Sequence, residues 1–520
     1  MNYWFFGREK AVFSLSCSAA LIVFLITLLR LYFAPSLNAD AVLYLYCADI
    51  FREFGWGAAE AVYRRPFYPA VIGVVADFLS VSSLASAVLV TAFLSGATAY
   101  AFVSLVVALG GSVLCQRLAV LVIICFPGFA NYQDYLIRDF GYWSGLMLAA
   151  AALVRYMGRQ RVIDLVSWGV FTGLATLFRP EAIILGILMP IGILLCRDLT
   201  AAARLRAILY CYVMPFLSAS LLFLWFLDSI AISGVYQYML QEPIEVIAGL
   251  FDSWLSLTSV VRDSILNRYS EQYAGLFLIS GLAGIYISQL LDGLGVWAIL
   301  CMATLFYRGA WVRVKNGVFL VALISSLMML AIFLIEKQFL QARFTIFSCF
   351  LLLITLCFSL ANAIEKQRVT SKWRSLLLLI AVCAFIDGQY SFGYSKKYIS
   401  DAVDWLARYA EPQSSVISNN PQISYRSGLG FNFEDHRRLG RQSKIGTAVL
   451  PLGYDFVVWV NKRGGEAPMF FKQSDIDYCA VADFENERGD RAIIYEIVTD
   501  VLKYGRRCVN RVVLGRPEPG

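Results

Sequence analysis

The chain has almost no histidine and a small share of charged residues. Its 520 residues include one histidine, His436, and only 16% are Asp, Glu, Lys or Arg. A histidine-based zinc site or a Ser-His-Asp triad is therefore excluded from the apolar part of the chain. No Cys-x-x-Cys pair occurs. Most of the twelve cysteines lie inside apolar runs, where they behave as small hydrophobic residues.

Apolar residues dominate the sequence instead. They make up 59% of it, and the mean hydropathy is +0.65. Apolar runs of about 20 residues, long enough to cross a bilayer, recur along the chain. We therefore expect a polytopic membrane protein in contact with membrane lipids, whose first apolar segment is retained rather than cleaved. The net charge of +7 is explained by Lys and Arg in cytoplasmic loops, so we expect no nucleic-acid partner.

The basic residues predict the topology. Arg8 and Lys10 precede the first span and place the N-terminus in the cytoplasm. Later basic clusters fall on alternate loops, which gives roughly eleven spans. Residues 66–80 are predicted to form a juxtamembrane helix, and residues 275–288 look too short for a regular span and suggest a re-entrant segment. The outer loops, rich in acidic and aromatic residues, are 36–82, 132–140, 179–181, about 230–273 and 336–343.

The composition changes after about residue 390. SSVIS, DFVVWV and RAIIYEIV are typical of short strands, and SDAVDWLARYA is typical of an amphipathic helix. We expect a helical transmembrane domain over 1–390, with a functional first outer loop at 36–82, and a small α/β domain over 391–520 on the outer, periplasmic side of a bacterial inner membrane. His436 is predicted to be a surface residue there. A disulfide between Cys479 and Cys508 is left open.

Two carboxylates in the first outer loop are candidates for chemistry. Asp40 follows the first span, either as the cap of a helix that starts at Ala41 or as a functional group. Asp49 lies nine positions further on, about 180° away on a common helix, so one regular helix cannot aim both at one substrate. A surface pair between Asp49 and Arg52 is the simpler account of Asp49.

Other charged residues gather at the outer ends of spans. Each has a structural alternative, as an interfacial anchor or an ion pair. Arg343 in particular lies at the mouth of a span, where a permanently charged fork suits a phosphate. The remaining candidates for substrate binding are Arg64, Arg65, Arg138, Asp139, Arg179 and Glu181.

In this order the motifs resemble the GT-C glycosyltransferases, particularly the protein O-mannosyltransferase and lipid A aminoarabinose transferase group. The resemblance rests on Asp40 after the first span, RRPFYPAVIG, Asp139 in the next outer loop, GLATLFRPEA before a span, and Arg343-Phe344 near the last outer turn. It covers most of residues 1–430 as weak, spaced motifs. It implies that a monosaccharide passes from a polyprenyl-phosphate donor to a protein, glycan or lipid acceptor on the outer face, with inversion.

The resemblance also implies roles for these residues. Asp40 would be the base for an acceptor hydroxyl, or a positioning group if the acceptor is a phosphate. Arg343, helped by Arg64, Arg65 or Arg179, would stabilise the departing phosphate. Asp139 would hold the acceptor or pair with Arg138. Some relatives use a divalent ion, which would here bridge Asp40 and Asp139, and others use none.

Two other classes of protein are weighed against this one. A transporter predicts ionisable residues in mid-membrane and inverted repeats, and neither is clear in the sequence. A polymerase or ligase for lipid-linked polysaccharide would take a whole glycan from a diphosphate carrier and typically has one large outer loop.

Overall fold

The structure is a computed structural model that describes residues 3–196, 200–226, 242–306, 314–366, 371–390, 395–444, 453–463 and 477–498. The chain forms two compact units. The first comprises Met1–Tyr32 and Ile50–Ser391, and the second comprises Phe33–Asp49 and Phe392–Gly520. The short segment after the first helix thus groups with the C-terminal part of the chain, which the sequence did not indicate.

The described residues of the first unit are mainly helical. α2 begins in the second unit and is interrupted at Gly55, whose φ of 79° is readily adopted only by glycine. Short 3₁₀ turns lie at Met189–Leu195 and Glu271–Tyr273. The helices are α1 (Tyr3–Tyr32), α2 (Ala39–Val62), α3 (Phe67–Leu79), α4 (Ser83–Ala108), α5 (Val113–Ile124), α6 (Pro127–Ala130), α7 (Asp139–Arg159), α8 (Val162–Phe178), α9 (Ala182–Leu188), α10 (Ala201–Phe226), α11 (Glu242–Ser264), α12 (Ala274–Leu294), α13 (Trp297–Phe306), α14 (Gly317–Lys337), α15 (Ala342–Glu365) and α16 (Ser371–Gln389).

Several of these helices are of the membrane type. Within the described residues, five are long and apolar enough to cross a bilayer: Ser14–Tyr32, Ser83–Ala108, Glu271–Leu294, Gly317–Lys337 and Ala342–Glu365. Shorter apolar helices, α3 and α8 among them, accompany these five. A multi-pass membrane protein follows from this composition, whereas the total of about eleven spans stays a prediction.

Two sequence predictions about short segments are decided by the helix bounds. Residues 66–80 do form a helix, α3, which ends at Ser80 in the left-handed conformation. The re-entrant interpretation of 275–288 is wrong, because α12 continues through the following Gln-Leu-Leu-Asp-Gly-Leu stretch to Leu294. The polar Gln289 and Asp292 near its end had concealed its length.

Small residues on α4 let neighbouring helices approach closely. A Cβ atom at Gly96 would lie 2.8 Å from the carbonyl oxygen of Ala20 on α1. Thr27 of α1 donates a hydrogen bond to Ser95 of α4 at 2.9 Å. Small side chains and hydrogen bonds between helices are the usual basis of association in membranes, where water no longer drives apolar groups together. α4 packs against both α1 and α7, and Thr98 of α4 donates a hydrogen bond to the carbonyl of Phe140 at the start of α7 at 3.1 Å.

The second unit contains helices packed on a four-stranded sheet. In chain order its described elements are α17 (Lys397–Tyr409), β1 (Val416–Ser418), α18 (Pro421–Ser427), α19 (Phe433–Lys444), β2 (Phe456–Asn461), β3 (Asp477–Glu485) and β4 (Arg491–Val498). The strand order is β1-β2-β4-β3, with β1 parallel to β2 and the other pairs antiparallel. Leu406 of α17 joins the core on one face of the sheet, and Leu439 of α19 joins the core on the other.

The predicted strands at SSVIS, DFVVWV and RAIIYEIV and the predicted helix at SDAVDWLARYA are confirmed, but β3, α18 and α19 were missed.

The surface prediction for His436 is wrong, since its side chain is 1% exposed. Its ring stacks on Phe431 with centroids 5.0 Å apart, and its Nδ1 lies 2.9 Å from the carbonyl oxygen of Ser418. Cys479 is disulfide-bonded, and Cys508, the partner that the sequence analysis left open, lies outside the described residues.

Candidate active site

The candidate site in the first unit begins with Asp139, the first residue of α7. A carboxylate in the first turn of a helix interacts favourably with the helix dipole. Aromatic rings fix this end of the helix, because Phe140 and Trp143 lie 5.3 Å apart and both contact Phe129. The Asp139 side chain is only 2% exposed, so its charge requires partners inside the protein.

Arg179 supplies the first partner from the turn between α8 and α9. A residue before proline favours extended backbone, and Arg179, which precedes Pro180, has φ −145° and ψ 117° and ends α8. Its Nη1 donates to Asp139 Oδ1 at 2.5 Å, and its Nη2 donates to Glu181 Oε1 at 3.4 Å. One guanidinium group therefore joins two carboxylates from different elements.

Arg343 supplies the second partner from the first turn of α15. Its Nε lies 3.9 Å from Asp139 Oδ2, so the two oxygens of Asp139 face two different arginines. The ring of Phe344 lies 5.5 Å from the Arg343 guanidinium carbon and 5.2 Å from that of Arg179, and Tyr142 lies 5.4 Å from Arg179. Aromatic faces attract guanidinium groups and limit the directions in which they can turn.

Further arginines act on Glu181 through their charge. Burial alone would raise the pKa of Glu181, but the guanidinium groups of Arg179, Arg138 and Arg65 hold it well below its usual range. Burial likewise opposes the charge on Arg179, but the carboxylates of Glu181 and Asp139 outweigh burial and raise the pKa of Arg179. Both groups are therefore ionised near neutral pH.

These residues form a compact group with excess positive charge. Four arginines and two carboxylates give the group a formal net charge of +2. We call it the cationic cluster, and its members are Arg65, Arg138, Asp139, Arg179, Glu181 and Arg343.

Polar atoms buried without a hydrogen-bond partner in the described part of the chain include Arg138 Nη1, Arg179 Nε and Glu181 Oε2 of the cationic cluster. Buried polar groups are nearly always satisfied, and each exception calls for an explanation. The first two of these atoms are donors on guanidinium groups, the kind of donor that binds oxyanions.

The cluster contains all but one of the substrate-binding residues predicted from the sequence. The exception is Arg64, whose side chain is exposed. The predicted pairing of Asp139 with the adjacent Arg138 is wrong, because Asp139 contacts Arg179 and Arg343. The Arg138 guanidinium instead lies over the ring of Tyr63 at 5.9 Å.

Asp40 lies in the second unit, in the first turn of α2, and is half-buried. The capping interpretation is wrong, since the helix begins at Ala39 and the amide of Ala41 donates to the carbonyl of Asn38 at 3.0 Å. The predicted pair of Asp49 with Arg52 is also wrong. Arg52 Nε donates to Asp77 Oδ1 at 2.7 Å, whereas Asp49 accepts a hydrogen bond from Tyr425.

The surroundings of Asp139 do not suit a divalent cation. Its two oxygens face the guanidinium groups of Arg179 and Arg343, whose positive charges would repel a metal ion. No group of three or more His, Cys, Asp or Glu side chains in the described ranges could hold a metal ion. The residues therefore do not fit the ion that would bridge Asp40 and Asp139, and no step below uses one.

Sequence reasoning missed Arg30, which is at the end of α1. Its Nη1 donates to the carbonyl of Gly388 at 2.6 Å, and its Nη2 lies 3.7 Å from Asp134 Oδ1. An arginine at the end of a span that is predicted to face outward runs against the positive-inside tendency, and this tendency was the signal available in the sequence. Arg30 thereby ties α1 to the loop that precedes Asp139 and to the end of α16.

Gly141 is predicted to be indispensable for the placement of Arg179. A Cβ atom at this position would lie 2.4 Å from the ring of Phe178, the residue before Arg179. Gly141→Ala should therefore displace Phe178 and lower stability by about 1–3 kcal/mol, measured as a lower thermal midpoint in detergent. Gly158→Ala on the same helix is the control, since nothing lies within 4 Å of its added methyl group. Equal midpoints for the two variants would contradict the tight contact.

No protein-family model matches the sequence, and no curated protein matches it either. Several solved structures are similar in fold. An oligosaccharyltransferase from Archaeoglobus fulgidus has 12% identity and a TM-score of 0.47, over 85% of this chain and 69% of its own. The arabinofuranosyltransferase AftD from mycobacteria has 13% identity and a TM-score of 0.45. This match covers 93% of this chain and 40% of AftD.

ArnT from Cupriavidus metallidurans, solved with undecaprenyl phosphate bound, has 13% identity and a TM-score of 0.41, over 94% of this chain and 98% of its own. All three are GT-C glycosyltransferases, the group that the sequence resembles.

Proposed function

We propose that this chain is a membrane glycosyltransferase that moves one monosaccharide from a polyprenyl-phosphate donor to an acceptor on the outer face of the membrane. The observation that carries the proposal is the cationic cluster with its unsatisfied donors, Arg138 Nη1 and Arg179 Nε. A guanidinium fork binds phosphate oxygens by charge-assisted hydrogen bonds, which are shorter and stronger than neutral ones.

The cluster suits a phosphate on which negative charge develops during reaction. Arg179 and Arg343 are held in advance by Asp139, Glu181 and Phe344, so these two arginines need little reorganisation as the phosphate departs. In this role Asp139 orients Arg179 and Arg343 and does not itself hold the acceptor. Glu181 orients Arg179 in the same way.

Asp40 is assigned the role of base. An acceptor hydroxyl oxygen forms a bond to the anomeric carbon while the bond from that carbon to the phosphate oxygen breaks, and its electron pair stays on the phosphate. The hydroxyl proton passes to the Asp40 carboxylate. Attack from the face opposite the phosphate inverts the anomeric centre. With a phosphate acceptor no proton needs removal, and Asp40 then positions the nucleophile.

A donor assay with the purified chain tests the proposal. We expect transfer from polyprenyl-monophosphate monosaccharides and none from diphosphate-linked oligosaccharides. Product from the diphosphate carrier alone would favour a polymerase or ligase, and uptake of an intact lipid-linked sugar into vesicles would favour a transporter. Mass spectrometry of envelope glycans, glycoproteins and lipid A from a deletion strain would identify the acceptor.

A further inference from the structure

Residues 33–49, which carry Asp40, are held within the second unit by one face of α18. Gln422 Oε1 accepts from the backbone amide of Leu37 at 2.8 Å. Arg426 Nη1 donates to the carbonyl of Pro35 at 3.0 Å. Residues at positions i and i+4 of a helix point the same way, so α18 presents these two side chains together.

A third residue of α18 holds the same segment further along. Tyr425 is at i+3 from Gln422 and donates its hydroxyl to Asp49 Oδ2 at 2.8 Å. A hydrogen bond to an ionised carboxylate is roughly twice as strong as one between neutral groups. Asp49 belongs to the same helix as Asp40, and the irregularity at Gly55 lies beyond both. The contact that holds Asp49 therefore also limits how the helical turns that carry Asp40 can tilt.

Aromatic stacking adds a second line of contact between the segment and the C-terminal part of the unit. Tyr46 stacks on Phe433 with centroids 5.5 Å apart and meets Phe431 edge-on at 5.6 Å. Phe431 also contacts Tyr425 at 5.4 Å and stacks on the buried ring of His436, which is bonded to the end of β1. Aromatic pairs of this kind contribute beyond the area that they bury. Tyr46 is thus connected to the sheet through Phe431 and His436.

These contacts flank Asp40 in the sequence. Pro35 and Leu37 are held before it, and Tyr46 and Asp49 are held after it. The residue that follows, Ala41, is fully buried. A helical turn that is fixed on both sides has little freedom to tilt or rotate.

We infer that α18 is a positioning element for Asp40, and that Tyr425, through Asp49, is its principal positioning residue. This inference rests on the proposed function, since it concerns where the base lies. A general base must be held near the productive geometry, and a misplacement of about 1 Å costs about 100-fold in rate. The C-terminal domain then takes part in catalysis without contributing a reacting group.

Tyr425→Phe, which removes one hydroxyl, tests the inference. We expect kcat for sugar transfer to fall about tenfold, with KM for the donor unchanged. We also expect amides in residues 36–49 to exchange with deuterium about tenfold faster. Tyr454→Phe is the matched control, because Tyr454 donates a comparable hydrogen bond to Asp435 at 2.7 Å in the same unit. It should leave both quantities unchanged.

A double-mutant cycle with Asp49 separates positioning from general damage. Asp49→Ala should lower kcat as Tyr425→Phe does, and the double variant should be no worse than either alone. Asp49→Asn keeps an acceptor oxygen and should retain most of the activity. Additive losses, unchanged exchange in 36–49, or equal effects of Tyr454→Phe would overturn the inference. If the wild-type chain transfers no sugar, the proposed function has failed, and the exchange result alone decides whether Tyr425 fixes the segment.

Discussion

Asp40→Asn is expected to lower sugar transfer by about 10³-fold, the usual contribution of a positioned general base. The amide that replaces the carboxylate is nearly the same size but cannot take the acceptor proton at neutral pH. Because the cationic cluster is untouched, the variant should fold normally and bind the donor as the wild type does. Single-turnover transfer and equilibrium binding of a polyprenyl-monophosphate sugar measure the two quantities separately.

Asp77→Asn is the matched control for this variant. Asp77 lies in the same predicted outer loop, and its side chain is 54% exposed in an ion pair with Arg52. A surface pair of this kind contributes little, so transfer should stay within about twofold of the wild type. If Asp40→Asn lowers sugar transfer by less than about tenfold, Asp40 acts as a positioning group and not as the base.

Arg179→Gln is expected to have the second large effect, on both stability and donor binding. Asp139 and Glu181 would lose their shared guanidinium partner, and removal of one member of a buried ion pair costs about 3–5 kcal/mol. Donor affinity should fall as well, because Arg179 Nε is one of the two donors offered to the phosphate. Arg179→Lys keeps the charge without the fork, so it should restore much of the stability and little of the transfer.

Arg155→Gln distinguishes loss of a phosphate ligand from loss of any buried pair. Arg155 Nε lies 3.4 Å from Asp164 Oδ1 and joins the other ends of α7 and α8. This variant should lower the thermal midpoint in detergent but leave donor affinity unchanged. If both variants weakened donor binding equally, the cationic cluster would be a structural feature and not the phosphate site.

The members of the cationic cluster could be found in the sequence because each lies at the end of an apolar run. Charges at such ends need little tertiary information to be recognised as candidates. Their pairing could not be found in this way. Arg179 reaches Asp139 across 40 positions because α7 packs on α8, whereas the neighbouring Arg138 does not pair with Asp139. Sequence proximity favoured the wrong partner.

Residues of the second unit illustrate the same limit. Strand patterns at DFVVWV and RAIIYEIV were sufficient to predict a sheet, since alternation and β-branched residues are local signals. Nothing local indicated that His436 is buried or that Tyr425 bonds Asp49, which is 376 positions away. Both depend on how α18 and α19 fold back onto residues 33–49, and only the assembled unit supplies that information.

Among the described strands, the sheet edges are poor templates for strand addition by other copies. β1 has only three residues, and β3 is interrupted by a register shift between Ala480 and Ala482. The end of β3 carries Asp483 and Glu485, both paired with Arg491 of β4. Short edges, bulges and charges are the features by which natural sheets avoid edge-to-edge aggregation. The described edges therefore offer little regular, unpaired backbone to the strands of a neighbouring copy.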